Sequence, residues 1–171
     1  MSTLDSFAPI VSKHARVLIL GTMPGAASLL KQQYYGHPRN AFWPIMDALF
    51  FMSPELSYLE RKQALINNGI AVWDVLKSCN RSGSLDSQID MATIITNRFD
   101  DFFSEYSTIK QVFFNGATAE KLYRKYTLPT LSQHFSYLQY HRLPSTSTAH
   151  ASLNLAQKIE AWQLVIRSML K

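Results

Sequence analysis

The sequence predicts an α/β fold: a single three-layer domain over residues 1–171, built on a central four-stranded, mainly parallel sheet flanked by helices. Three observations predict it. Apolar, β-rich runs recur at 17–20, 70–73 and 112–114. Helical patterns stand between them, and strands alternating with helices imply parallel pairing with both faces of the sheet covered. The chain has 171 residues and 47% apolar content, enough for one sizeable core.

The elements follow in order. Residues 1–15 read as a loosely ordered lead-in or a short helix. The first strand is 16–20, and its Val17–Leu20 run is wholly apolar and therefore buried on both faces. It stops at Gly21-Thr22, followed by the turn signal Pro24-Gly25. A loop runs to about residue 40, then a helix covers roughly 41–51. Ser53-Pro54-Glu55 reads as the next helix start, with Ser as cap and Pro at the first position. That helix ends at Asn68-Gly69, a left-handed cap signal. The second strand, Ile70–Trp73, ends at Asp74. Residues 75–89, VLKSCNRSGSLDSQI, are polar and read as a long loop. A short helix is expected at 98–106. The third strand, 111–114, ends at Asn115-Gly116, and a helix follows to about Tyr126. The fourth strand is 137–143, ending at Pro144. The last helix, about 155–170, keeps Leu155, Ile159, Trp162, Val165, Ile166 and Met169 at helical spacing.

Composition narrows the function classes. No apolar run is long enough to span a bilayer, and the mixed, polar first residues are not those of a signal peptide, so the expectation is a cytoplasmic monomer without membrane contact. The single cysteine, Cys79, excludes internal disulfides and four-thiolate clusters. The five histidines show no paired ligand spacing, so no metal site is expected. The formal net charge is +5, and the excess sits mostly in the second half, where eight Lys/Arg face four Asp/Glu. That balance permits a nucleic-acid partner through phosphate neutralisation.

The chemistry-bearing stretch is VLILGTMPGAASLLKQQYYGHPRNAFW, residues 17–43. An apolar strand opening into a Gly/Pro loop marks where open α/β sheets hold ligands, at the carboxyl ends of the strands. It is neither a Walker loop nor a G-x-G-x-x-G turn. Tyr34, Tyr35, His37, Arg39, Asn40, Phe42 and Trp43 crowd into ten residues, with Gly36 and Pro38 shaping the backbone. Aromatic faces, a guanidinium and directed amides suit a nucleobase and its backbone. Phe42 and Trp43 are assigned to the apolar face of the following helix; Tyr34 and Tyr35 suit either a pocket wall or the core. Four loops share the same edge: 21–40, 74–89, Asn115-Gly116 and 144–151. Asn115 has two readings, a base-reading amide or a helix cap. Ser145, Thr146 and Ser147 offer hydroxyls that bond phosphates without bulk.

GTMPG followed by QQYYGHPRNAFW resembles the first motif of the uracil-DNA glycosylase superfamily, closest to its DNA-deoxyinosine (hypoxanthine-DNA) glycosylase branch. LPSTSTAHA, residues 143–151, resembles the second motif, the loop that enters DNA beside the flipped nucleotide, and residues 73–89 also look like that branch. The resemblance covers Val17 to about Ala151. It implies a uracil-DNA glycosylase-like domain and a monofunctional enzyme that removes deaminated bases, hypoxanthine first and uracil second, with DNA as partner, no iron–sulfur cluster and no cofactor. Residue by residue, it implies Asn40 as catalytic, and Tyr35, Gly36, His37 and Asn115 as base-binding. It implies Arg39, Ser145, Thr146 and Ser147 as DNA-binding, and Gly21, Thr22, Met23, Pro24 and Asp74 as pocket-shaping, with Ser84 and Asp86 as further pocket candidates.

Two positions depart from the pattern. Many relatives hold water with Asp or Asn two residues after the motif glycine; here that residue is Met23. Many begin the second motif with His; here it is Leu143, with His150 as the nearest imidazole. The resemblance shifts the polar role to Asn40, which positions water rather than deprotonating it. A rival reading is a non-catalytic nucleic-acid or nucleotide-recognition module of the same fold, favoured by Met23 and Leu143. A nucleoside hydrolase is a third, which the basic charge and the Ser/Thr loop disfavour.

Overall fold

Val17 to Leu20 are completely buried. Val17 and Ile19 point into one core, Leu18 and Leu20 into another, because side chains alternate along a strand. An apolar residue is thus needed at every position. The computed structural model describes residues 2–171. In chain order, β1 spans Thr3–Asp5, β2 Val17–Gly21, α1 Ala26–Lys31, α2 Phe42–Phe50, α3 Tyr58–Asn67, β3 Ile70–Asp74, β4 Leu76–Arg81, β5 Ile89–Thr96, α4 Phe99–Glu105, β6 Gln111–Asn115, α5 Ala117–Leu122, β7 Gln139–Leu143 and α6 Leu155–Met169.

The central sheet has four strands in the order β3-β2-β6-β7, all parallel. Its register sets Gly21 beside Asp74 and Asn115 beside Leu143, so these strand ends form one edge. One face packs Val17, Ile19, Val72 and Phe113 against Phe42, Ile45 and Met46 of α2, Leu65 of α3, and Trp162 and Val165 of α6. The other packs Leu18, Leu20, Val112 and Phe114 against Phe99, Phe102 and Phe103 of α4 and Leu122 of α5. The expected three-layer α/β arrangement with a four-stranded parallel sheet is what the chain forms.

Several sequence expectations need correction. The lead-in is neither loose nor helical: β1 pairs antiparallel with β4, and Ile10 bridges to Val72. Residues 75–89 are not a long loop. β4 and β5 pair antiparallel and, with β1, make a second sheet in the order β1-β4-β5. The pattern hid β4 because Ser78 and Arg81 join Leu76 and Cys79 among its buried positions. α3 starts at Ser57, not at Ser53. Ser57 and Glu60 form a reciprocal capping box, whereas the Ser53 hydroxyl accepts from Glu55 N in a local turn. The motif loop contains a helix of its own, α1. α5 ends at Leu122 and gives way to a wide π-type turn over Tyr123–Thr127. The fourth strand begins at Gln139 rather than Tyr137.

Trp162 couples this packing to the strand-end edge. Its ring is fully buried against Phe42, and its Nε1–H donates to the Pro144 carbonyl at 2.9 Å, just where β7 turns into the following loop. Trp162→Phe removes that donor, orphans the carbonyl and leaves a void. Urea unfolding should show a loss of about 2 kcal/mol; an unchanged midpoint would sink the coupling.

Candidate active site

One crevice of about 500 Å³ lies at the carboxyl ends of the parallel strands. Its lining comes from the segments that the parallel topology brings together, with the β4–β5 connection leaning over one side. The structure brings Gly21, Thr22, Met23, Pro24, Tyr35, His37, Asn40, Asp74, Asn115, Ser145, Thr146 and Ser147 into it. Ser84 and Asp86 also line it, as does His150. Gly36 and Arg39 do not. Gly36 packs behind the wall, where its N–H donates to Ser28 Oγ at 2.9 Å and its carbonyl accepts from Lys31 Nζ at 2.8 Å. Arg39 is exposed outside, and its backbone N–H donates to His37 Nδ1. Leu143 belongs to the core at 2% exposure, so it faces no ligand.

Tyr34 and Tyr35 divide the two roles that the sequence left open. Tyr34 is a core residue at 3% exposure, with its hydroxyl donating to the Ala8 carbonyl at 2.9 Å. Tyr35 takes the left-handed conformation, φ +54°. That is uncommon for a non-glycine residue and persists where packing over-determines it. Here the packing is a stack on Phe42, with centroids 4.0 Å apart and planes 21° off parallel. The turn carries the Tyr35 hydroxyl to the crevice floor, where it is buried beside Asp74 and makes at most a weak, poorly aligned bond with the Asn115 amide. Burial and the Asp74 charge both raise its pKa, so it stays a neutral phenol.

Asn40 sits two residues before α2, whose N-cap is Ala41. Its Oδ1 accepts from Phe42 N at 2.9 Å in an Asx-type turn that fixes the amide. Asn115 lines the crevice too, yet its amide is largely engaged. Nδ2 donates to Thr146 Oγ1 and Oδ1 accepts from Thr146 N, both at 2.9 Å. The second Nδ2 hydrogen lies toward the Tyr35 hydroxyl. The Thr146 carbonyl in turn accepts from Ala41 N at 3.0 Å.

The floor is acidic. Asp74 is 4% exposed and its Oδ2 has no partner. Burial is the main cause that pushes its pKa up to about 7; the nearby Asp86 charge adds to this and Arg81 opposes it. Asp86 is raised as well, by partial desolvation beside the crevice, against the Thr22 hydroxyl and the Arg81 charge, although the residue itself is exposed on the rim. Arg81 is itself buried but gives Nε to the Gly83 carbonyl and Nη2 to the Pro24 carbonyl, leaving Nη1 unpartnered. It braces the loops and makes no hydrogen bond to Asp74. A Cβ on Gly21 would lie 2.5 Å from Asp74 Oδ1 and 3.0 Å from the Tyr35 hydroxyl, so glycine is what leaves room for the floor. Sequence reasoning missed Arg81, Leu85, Ala117 and Thr118. The last two follow a strand-end glycine and could have been found by that position; a buried lone arginine leaves no such signal. Among the described residues, no cluster of three or more His, Cys, Asp or Glu is placed to hold a metal ion, and no helix is long and apolar enough to cross a membrane.

A parallel α/β sheet with a crevice at its strand ends, floored by aromatic and acidic groups and rimmed by hydroxyls, defines an open α/β domain with its ligand site at the carboxyl edge of the sheet. The family is now identifiable: the chain belongs to the uracil DNA glycosylase superfamily, whose family model matches residues 8–166. It is similar to a hypoxanthine DNA glycosylase of Methanosarcina barkeri, 37% identical over 113 residues, covering 66% of this chain and 70% of the relative. It is also similar to one of Methanosarcina acetivorans, 32% identical over 165 residues, covering 94% and 96%. A solution NMR structure from M. acetivorans, described as a candidate uracil DNA glycosylase, superposes with a TM-score of 0.78 at 28% identity, covering 99% of this chain and all of that one.

The raised Asp74 carboxyl makes a stability prediction. Its folded pKa, about 7, exceeds the ordinary 3.8. Its contribution is therefore complete below about pH 4 and is lost as pH rises through 7. Asp74→Asn removes the titration and should gain about 2–3 kcal/mol on wild type between pH 5 and pH 8. Thermal unfolding at the two pH values checks this, and a pH-independent difference would refute the buried, unpaired carboxyl.

Proposed function

We propose that this DNA glycosylase hydrolyses the N-glycosidic bond of a deaminated base flipped out of DNA, with hypoxanthine the preferred base and uracil second, and leaves an abasic site. The observation that carries the reading is the strand-end crevice with Asn40 in its wall. It accommodates one extruded nucleotide, and it joins the motif residues to the loop over 144–151. The names of the two Methanosarcina relatives favour hypoxanthine as the base.

A base inside a duplex is stacked and paired, so the enzyme must extrude it before acting on its sugar bond. Bond breaking builds positive charge on the sugar and negative charge on the departing base. Asn40 holds the attacking water, its amide preset by the bond to Phe42 N. Tyr35, with one face on Phe42, His37 and the Asn115 amide beside the Tyr35 hydroxyl form the base site, and Gly36 shapes the turn behind them. Ser145 and Ser147 take phosphate and sugar contacts and Arg39 grips the backbone from outside the crevice, while Thr146, expected from the sequence to bind DNA, is buried and bonded to Asn115 and holds their loop in place. Gly21, Thr22, Met23, Pro24 and Asp74 shape the pocket. Met23 brings no polar atom to the water, so rate depends on how well the leaving base is stabilised. The protein works as a cytoplasmic monomer, and its one cysteine, buried Cys79, is a core residue.

The test uses a labelled duplex with one deoxyinosine, followed by alkaline cleavage of abasic sites. Wild type should cut at inosine and more slowly at deoxyuridine. Asn40→Ala should lower the single-turnover rate by about 10²–10³-fold. Retained binding with no scission at either base would instead favour the recognition module. In the same assay Gly21→Ala, which drives a methyl into the crevice floor, should cut the rate at least as far as Asn40→Ala.

A further inference from the structure

We propose that Asp74 acts in its protonated form, as a hydrogen-bond donor to the carbonyl oxygen of the departing base, and is a catalytic residue for lactam bases. The inference rests on the glycosylase reading and adds a chemical role to a residue otherwise needed only to shape the pocket.

Four observations carry it. Asp74 ends β3 at the crevice floor, one strand from Gly21, whose missing side chain lets the carboxyl reach the cavity. Oδ2 is buried and has no partner in the protein, so a base is the group that can satisfy it. The cation nearby is not its ion-pair partner: Arg81 donates to the Gly83 and Pro24 carbonyls instead. The titratable groups around it are Asp86 on the turn before β5, Arg81 on β4, and Tyr34 and Tyr35 on the segment after α1, with His37 and His150 elsewhere in the crevice lining. Burial and Asp86 favour the neutral acid over the carboxylate. Bound DNA would bring further negative charge and push in the same direction.

The chemistry follows from charge. Hypoxanthine, uracil and xanthine share a carbonyl beside a ring N–H. A neutral carboxyl meets that edge with two complementary hydrogen bonds, its O–H to the base carbonyl and its C=O from the base N–H. A carboxylate could keep only the second and would repel the carbonyl. During reaction the water oxygen bonds to C1′ and the C1′–N bond breaks. The electron pair leaves with the base, and the proton lost by the water ends on the released base. Negative charge develops on that base, including its carbonyl, where the Asp74 O–H strengthens its hydrogen bond. Asp74 keeps its own proton throughout. A general-base role at the water would need the ionised form and gives the opposite pH dependence.

The experiment measures single-turnover excision of deoxyinosine from pH 5.5 to 8.5 for wild type, Asp74→Asn and Asp74→Leu. Wild type should slow as pH rises through 7, approaching about tenfold per unit above it. Asp74→Asn keeps a donor and an acceptor but cannot ionise. It should be slower than wild type at pH 6, by about tenfold, with no alkaline decline, and Asp74→Leu should lose about 10³-fold at every pH. A wild-type rate that rises through pH 7, or a folded Asp74→Asn as inactive as Asp74→Leu, would overturn the proposal. A second arm measures wild-type binding of free hypoxanthine and 1-methylhypoxanthine at pH 6 and pH 8. Hypoxanthine should bind more weakly at pH 8, and the methylated base, which lacks the N–H, weakly at both. Equal binding of the two bases, with no pH effect, would overturn the proposal even if the variants fail to fold. Absence of excision by wild type at any pH defeats the glycosylase reading, and the binding arm still decides the role of Asp74.

Discussion

The bidentate pairing of Asn115 with Thr146 is the constraint on which the active-site edge depends. Asn115 ends a buried strand, and Thr146 lies 31 residues later in an irregular loop. The amide takes both the backbone N–H and the hydroxyl of Thr146, at 2.9 Å each. Thr146 is 1% exposed and passes the constraint on through its carbonyl to Ala41 N, at the entrance of α2. Asn40 precedes that contact and Phe42 follows it. One side-chain amide thus sets the separation between the loop proposed to meet DNA and the residue proposed to hold water. An amide buried in this way is worth more than in solvent because none of its alternatives are hydrated.

The crevice floor follows a different logic. Polar groups there are left unsatisfied. The Tyr35 hydroxyl, Asp74 Oδ2 and Arg81 Nη1 are all buried without a well-aligned partner. Native proteins tolerate few such groups, and those that persist mark places where a ligand completes the network. The surrounding fold holds them open by apolar means: Tyr35 by its stack on Phe42, Asp74 by the space over Gly21. The two together explain why a Met can stand at position 23 without emptying the site of chemistry.

The sequence made the central sheet legible because strands buried on both faces must be apolar through their centres, as Val17–Leu20, Ile70–Trp73 and Val112–Phe114 are. The converging loops were legible for the same reason, since parallel strands end at one edge. The second sheet was not, because Ser78 and Arg81 occupy buried positions on β4 and break the pattern. The start of α3 was ambiguous between two serines, and the reciprocal bond to Glu60 decided for Ser57. Within the motif stretch, residue types were informative but directions were not. Along an irregular loop, spacing carries no face information, so Gly36 and Arg39 could not be told from Tyr35 and Asn40. The Asn115–Thr146 bond is long-range, and no local pattern announces it.

The outermost strand of the central sheet, β7, has a consequence for behaviour at high concentration. An outer strand offers unpaired backbone groups to any neighbour that can align with them, which is the usual start of edge-to-edge aggregation. Its sequence, QYHRL, puts Gln139, His141 and Arg142 on that rim and buries only Leu143. Arg142 is tied to Glu120 at 3.3 Å and His141 to Gln111 at 2.7 Å. A second chain that docked there would have to strip water from this polar rim and from the Arg142–Glu120 pair. The strand's own side chains thus set a desolvation cost on edge-to-edge pairing.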